Sequence, residues 1–199
     1  MDRIPKTITE QRVQRIRAVL SRRQHDLSLI LNNIHDSHNV SAILRSCDAF
    51  GVNTVHLYYT QEAFPLVAKR SSASAKKWVE RIRHTDAKSM IHGFRAKGFQ
   101  ILGTNLNANA KPLPEWDLTR PTAVILGNEH RGQDPTLDAL VPNNLYIPMQ
   151  GMTKSLNVSV AAAVILYEAW RQRQDQGMYD QSGFPPEEME NLVAAWLKK

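Results

Sequence analysis

Cysteine is nearly missing from the 199 residues: Cys47 stands alone, so no internal disulfide can form and a reducing compartment is expected. Its neighbours are those of a small core residue. No run approaches the roughly 18 to 20 apolar residues of a membrane-spanning helix, and the charged first residues are not followed by an apolar signal core, which points to a cytoplasmic protein. The seven histidines are scattered, with no paired-cysteine spacing and no H-E-x-x-H helix, so no metal site is expected. Neither a G-x-G-x-x-G fingerprint nor a G-x-x-x-x-G-K-[ST] loop occurs, which weakens nicotinamide and nucleoside-triphosphate readings. Acidic residues are also short, 19 against 25 Lys and Arg, and the imbalance is local. Residues 1–25 carry Arg3, Lys6, Arg12, Arg15, Arg17, Arg22 and Arg23 against Asp2 and Glu10, nearly all of the +6 net charge. A concentrated basic arm favours a polyanionic partner over a merely solvated helix, and Arg outnumbers Lys within it.

What is present fits one compact domain with terminal additions. The expected division is a basic N-terminal helix over 1–25, an α/β domain over 26–175 and a helical extension over 176–199. In the first helix, which Thr7 or Thr9 can cap, Val13, Ile16, Val19 and Leu20 form an apolar stripe while Arg15 and Arg22 share another face. Leu27–Leu31 reads as a buried strand and Asn32–His38 as a polar turn. Asn39 then caps a helix that runs through Phe50 and stops at Gly51. Thr54–Tyr59 is a second strand, followed by a loop through the small-residue stretch 71–78, where Lys76 and Lys77 are candidates for phosphate contact. A helix over Asp86–Lys97 stopped by Gly98, a strand over Gln100–Thr104 and another over Pro121–Leu126 continue the alternation, which gives an α/β class with a mainly parallel sheet. The last helix begins at Pro186. Its Met189, Leu192, Val193, Trp196 and Leu197 recur at helical spacing, so this face must dock.

The most informative stretch is Leu145–Glu168. Leu145–Pro148 reads as a short buried strand, Gln150–Lys154 as a loop, and the residues after Ser155 as a core helix with almost no solvent-facing side. Ser155 or Asn157 can cap that helix, and its free N–H groups and positive dipole end face whatever ligand lies over the loop. On its own this is only a capped core helix.

Two further segments change that reading: Asn39-Val40-Ser41-Ala42-Ile43-Leu44-Arg45, and Ala123–Glu129 with Arg131 and Gly132 following. With the Ile147–Ala169 stretch they closely resemble the three ordered motifs of the SpoU/TrmH family, a branch of the SPOUT RNA methyltransferases. The flanks Arg22–Leu27 and Tyr167–Asp180 resemble it too, so the likeness spans roughly the whole chain. Within the small-residue stretch, where such chains usually carry glycine, this one has Ser and Ala.

The resemblance implies a SPOUT fold, in which the C-terminal segment threads a loop to make a trefoil knot. Sequence physics would not propose this, because true knots are almost absent from proteins. It implies S-adenosylmethionine as cofactor, held through backbone groups around Thr104, Gly127, Ile147, Met149 and Leu156. It also implies methyl transfer to a ribose 2'-hydroxyl of tRNA, most closely guanosine(18) of the D-loop, by a homodimer with the site across its interface. Ribosomal RNA, the anticodon loop of tRNA, or noncatalytic RNA binding are the alternatives. The implied catalytic set is Arg45, Asn39, Glu129 and Asn157. Arg45 holds the general-base position, although a guanidinium with a pKa above about 12 accepts no hydrogen bond while charged. Arg12, Arg15, Arg22 and Arg23, with Arg171 and Arg173, are the expected RNA-binding residues.

Overall fold

In the computed structural model, which describes residues 9–65 and 75–199, a five-stranded sheet lies between two helical layers. Its strands are β1 (Gln24–Asn32), β2 (Val52–Tyr58), β3 (Glu80–His84), β4 (Gln100–Leu102) and β6 (Thr122–Leu126). They run in the order β3-β2-β1-β6-β4, and every pairing is parallel. The central strands are apolar on both faces because helices cover both, as parallel sheets require. Leu27, Leu29 and Leu31 of β1 pack with Val40, Ile43 and Leu44 of α2 (Ser37–Ala49) and with Ala162, Ile165 and Leu166 of α5 (Val158–Asp175). Ile30 and Ile125 point the other way, onto Met90, Ile91 and Phe94 of α3 (Ala87–Ala96) and Leu137 of α4 (Pro135–Leu140). Cys47 is fully buried in the first of these cores.

The terminal helices α1 (Glu10–Leu20) and α6 (Pro186–Leu197) pack on each other through Ile16, Leu20, Val193 and Trp196. Arg17 grips Glu190 with two hydrogen bonds of 2.5 and 2.7 Å. Thr9 caps α1, its hydroxyl accepting from the Arg12 N–H; Thr7, like Arg3, Lys6 and the 71–74 part of the small-residue loop, lies outside the described residues.

Several boundaries differ from expectation for identifiable reasons. Asp36, and not Asn39, caps α2, its carboxylate accepting from the His38 N–H at 2.7 Å. Asn39 therefore sits inside the first turn with its amide free for other work. Helix α5 starts at Val158, capped by Asn157 through the Ser159 N–H at 2.8 Å, which leaves Ser155 in the loop. Nor is α5 wholly internal: Val160, Val164 and Tyr167 are exposed at 48, 37 and 54 %, on the side away from buried Ala162, Ile165, Leu166 and Ala169. Three elements had no clear apolar period. Edge strand β3 reads ERIRH and is almost entirely exposed, α4 is a single short helix, and β5 (Ala110–Pro112) pairs with β7 (Asn144–Tyr146) as a separate two-stranded ribbon.

Candidate active site and nucleic-acid interface

The loops leaving the carboxyl ends of β1, β2 and β6 meet at Asn33, the described non-glycine residue with positive φ, at 50°. Asparagine tolerates that conformation better than most side chains. Its side-chain oxygen accepts from the N–H groups of Thr60 and Gln61 at 2.9 and 3.1 Å, and its carbonyl accepts from the Asn128 amide at 2.6 Å. Asn32 adds a tie, accepting from the Asp134 N–H at 2.7 Å. Loops at the carboxyl end of a parallel sheet are where ligands gather, and here they are pinned to one another before any ligand arrives.

Asn128 also shapes the turn after β6. Its side-chain oxygen accepts from the His130 and Arg131 N–H groups, and its backbone pairs in both directions with Gly132. Gly132 has φ +73°, and a Cβ on Gly127 would come within 2.6 Å of the Gly132 carbonyl carbon, so the turn closes only with glycine at both ends. The fold of the turn delivers Glu129 toward α2. There its carboxylate accepts from the Asn39 amide at 2.9 Å and from the backbone N–H of His35 at 2.9 Å, with Asp36 N at 3.4 Å. Partial burial works to raise the Glu129 pKa, but these hydrogen bonds outweigh it and leave the group below the ordinary carboxylate value. Asn39 is held from both sides, its oxygen accepting from the Asn157 amide at 3.1 Å. Asn39, Glu129 and Asn157, taken from three separate segments, thus form one hydrogen-bonded chain.

Beside this chain opens a cleft of about 660 Å³. Thr104, Gly127, Ile147, Met149 and Leu156 all line it, together with Glu129 and Asn157. Its walls are mostly apolar, from Leu126, Leu145, Ile147, Leu156 and Ile165, and the start of α5 stands at one side. A slot with backbone polar groups and few charges suits a nucleoside-sized ligand. Thr104 is anchored by its hydroxyl to the Ile125 carbonyl at 3.0 Å, and Gly103 and Asn105 are bound to Asn143 and Asn144, so the loops after β4 and before β7 interlock where the resemblance places the knot. Gln133 and Asn105 also line the cleft, and Asn144 at the start of β7 holds the Asn105 N–H; Asn105 and Gln133 had no sequence signal because each is an isolated polar residue in a loop.

Arg45 is not in the chain of hydrogen bonds. It lies six residues along α2 from Asn39, exposed, and outside the lining of the cleft. Its guanidinium is solvent-exposed and forms no ion pair among the described residues. A carboxylate near the Glu129 turn had no sequence signal: Glu62, after β2, pairs with Arg131 and with His35 Nδ1 at 3.2 Å. Both partners hold its carboxylate below the ordinary value, Arg131 most strongly.

Of the arginines expected to hold RNA, Arg15 and Arg22 are exposed and Arg12 is half-buried. Arg23 and Arg173 are corrections. Arg23 is 1 % exposed, pairs with Asp48 and donates to the Val52 carbonyl. Arg173 is fully buried, donating to Asp26 at 2.5 Å, to Gln24 and to the carbonyls of Leu118 and Arg120. Arg23 thus ties the turn before β1 to α2 and β2, and Arg173 ties α5 to β1 and the 118–120 loop, so both are buried and present nothing to RNA. Arg171 is exposed but already engaged by Glu168 and Asp175 on its own helix.

Comparison with known proteins agrees with this geometry. Over 191 residues the chain is 44 % identical to the tRNA (guanosine(18)-2'-O)-methyltransferase of Thermus thermophilus, covering 96 % of this chain and 98 % of that protein. The crystal structure of the A. aeolicus TrmH/SpoU tRNA modifying enzyme superposes with a TM-score of 0.89 at 36 % identity, over 95 % of this chain and 96 % of that one. The SpoU methyltransferase AviRb of Streptomyces viridochromogenes, in complex with the cofactor AdoMet, superposes at 0.68 with 26 % identity over 76 % of this chain and 62 % of that one. The SpoU rRNA Methylase family model matches residues 26–167, which contain the sheet, the cleft and every member of the Asn39–Glu129–Asn157 chain. An α/β sheet with the SPOUT arrangement and near full-length identity lead to one conclusion: the chain belongs to the SpoU methylase family.

Proposed function

We propose that the protein methylates the ribose 2'-hydroxyl of guanosine(18) in tRNA, using S-adenosylmethionine. The observation that carries this is the 44 % identity to an enzyme of that name over nearly the full length of both chains, terminal helices included. The cleft fits the cofactor in volume, in its apolar walls and in the glycine at 127 that a side chain would block. When bound, S-adenosylmethionine supplies a methyl group activated by its sulfonium. The protein's task is then to bring a weak nucleophile into line and assist loss of its proton.

The pinned network suggests a division of labour. Glu129 is a poor base because its carboxylate is already saturated with donors and its pKa is held down. It acts by locking Asn39, which locks Asn157 and the start of α5. Arg45, exposed on α2 and at the motif position the family likeness assigns to catalysis, grips the phosphate of the reacting nucleotide or steadies the developing alkoxide.

The exposed Val160, Val164 and Tyr167 on α5, continuous with Leu156 beside the cleft, support a homodimer whose interface borders the site. Arg12 and Arg15 of α1, with Arg22 in the turn after it, are proposed to hold the tRNA backbone from the unit that α1 and α6 form. No described helix is long and apolar enough to cross a membrane, and a cytoplasmic enzyme acting on tRNA is consistent with that.

The test uses purified protein, labelled cofactor and defined transcripts. One methyl group should enter tRNA at nucleotide 18 and none should enter a tRNA carrying 2'-deoxyguanosine there. Label in another position, or only in ribosomal RNA, would overturn the assignment.

A further inference from the structure

Far from the cleft in the sheet order, at the free edge, β3 carries a second cationic surface. Arg81 and Arg83 alternate onto one face of the strand, roughly 6.6 Å apart along it. Both are exposed, and neither forms an ion pair among the described residues, in contrast to Arg17, Arg23, Arg171 and Arg173. They line a groove of about 670 Å³ between β3, the turn before it and α6, with Lys77, Lys199 and the indoles of Trp78 and Trp196. Glu80 is the carboxylate in the lining, and it already accepts from the Thr54 hydroxyl.

Aromatic rings alternate with the cations. Arg83 lies over the Phe64 ring at 4.7 Å, and the Lys199 ammonium lies 5.2 Å from the Trp196 centroid and 6.0 Å from that of Trp78. The two indoles are 4.9 Å apart. Burial, with a smaller push from Arg23 and against the pull of Glu80, holds Lys199 below the ordinary lysine value. An edge strand usually carries charge to discourage pairing with other sheets. That role needs no aromatic groove beside it, and exposed arginines without ion pairs beside aromatic rings, two of the groove's cations lying over ring faces, suit a sugar-phosphate strand.

We infer that the β3–α6 groove is a second RNA seat, which takes the tRNA backbone at a distance from the methylated nucleotide. This rests on the proposed tRNA substrate, and the two can fail separately.

The experiment titrates tRNA against the full-length protein at several salt concentrations, for wild type and for Arg81→Ala/Arg83→Ala. Melting temperature and cofactor affinity serve as controls on folding and on the cleft. Two lost phosphate contacts should reduce the slope of log affinity against log salt by about 1.5 and weaken binding about tenfold near physiological salt, with cofactor affinity unchanged. Parallel plots of equal affinity overturn the seat. Should the double variant fail to fold, acetylation of the wild type decides: bound tRNA should protect Lys77 and Lys199, and equal labelling with and without RNA overturns the inference. Should the wild type methylate a different RNA, the tRNA reading falls, and the same titration with that RNA still judges the groove. Loss of binding to phosphatidylserine vesicles in the double variant, with RNA affinity intact, would assign the surface to an anionic membrane and overturn the proposal.

Discussion

Arg45 is exposed and forms no ion pair among the described residues, whereas Arg23 and Arg173 are buried and paired with Asp48 and Asp26, although all three look alike in the sequence. Placement decides what an ionisable group does. Arg45→Ala is expected to lower turnover at least a hundredfold on tRNA while the cofactor's dissociation constant, measured by calorimetry, stays within about twofold. Arg45→Lys should recover little, because a point charge does not reproduce a planar fork. Full activity in the lysine variant would show that charge alone suffices. At the other face of the sheet His56 stacks on His84, with Nδ1 and Nε2 2.8 Å apart, against Phe94. Burial, then His84 and Lys97, lower the His56 pKa from 6.5 to about 4. The unfolded chain therefore binds a proton that the fold refuses, and stability falls as pH drops from about 6.5 toward 4. The loss should approach about 3 kcal/mol by the lower limit. His56→Phe should flatten the melting temperature over that window, and an unchanged slope would place the titration elsewhere.

At the level of elements, α1 has two sides. Ile16 and Leu20 dock on α6 while Arg15, and Arg22 in the turn that follows, stay exposed. Arg17 belongs with the docking side because Glu190 holds it. An Arg12/Arg15/Arg22→Ala variant should thus keep its fold and cofactor affinity but lose about two units of salt slope in tRNA binding, at roughly 0.7 to 0.9 per phosphate contact. Salt plots parallel to wild type would reduce α1 to a solubilising helix. The caps carry a similar lesson. Asp36 takes the capping position of α2, which frees Asn39 to face Glu129, and Asn157 caps α5 with its oxygen while its amide reaches Asn39. One polar side chain ends a helix and joins the site, so removing it costs both.

At the scale of the whole molecule, the exposed apolar face of α5 is the main feature that a lone chain leaves uncovered. Val160, Val164 and Tyr167 lie on the helix that begins at the cleft, and Tyr167 packs edge-on against Phe50 of the α2 end. A carboxylate at 164 would have to be buried on association without a partner. Val164→Asp is accordingly expected to shift the protein to monomer in sedimentation and to reduce methylation at least tenfold, with the monomer's melt still cooperative. A wild type that sediments as a monomer at micromolar concentration would remove the dimer.

The sequence by itself determined the layers and the inventory. The apolar runs of β1, β2 and β6, the stripe of α6 and glycines such as Gly51 and Gly98 are local signals, and each element appears within a few residues of where those signals put it. The motif residues Asn39, Glu129 and Asn157 were picked out through family likeness, as were Thr104, Gly127, Ile147, Met149 and Leu156, which are among the residues that line the cleft. Partnership was not legible. Which arginine is spent on Asp26 or Asp48 and which is left exposed depends on contacts between residues far apart in the chain, and no periodicity records them. The same holds for β3, whose ERIRH carries no apolar alternation because only one neighbour and little core reach an edge strand. Hydrophobic spacing reports what is buried by an element's own face, whereas a binding surface is whatever the packed fold leaves charged and unpaired, and that is settled only when the elements meet.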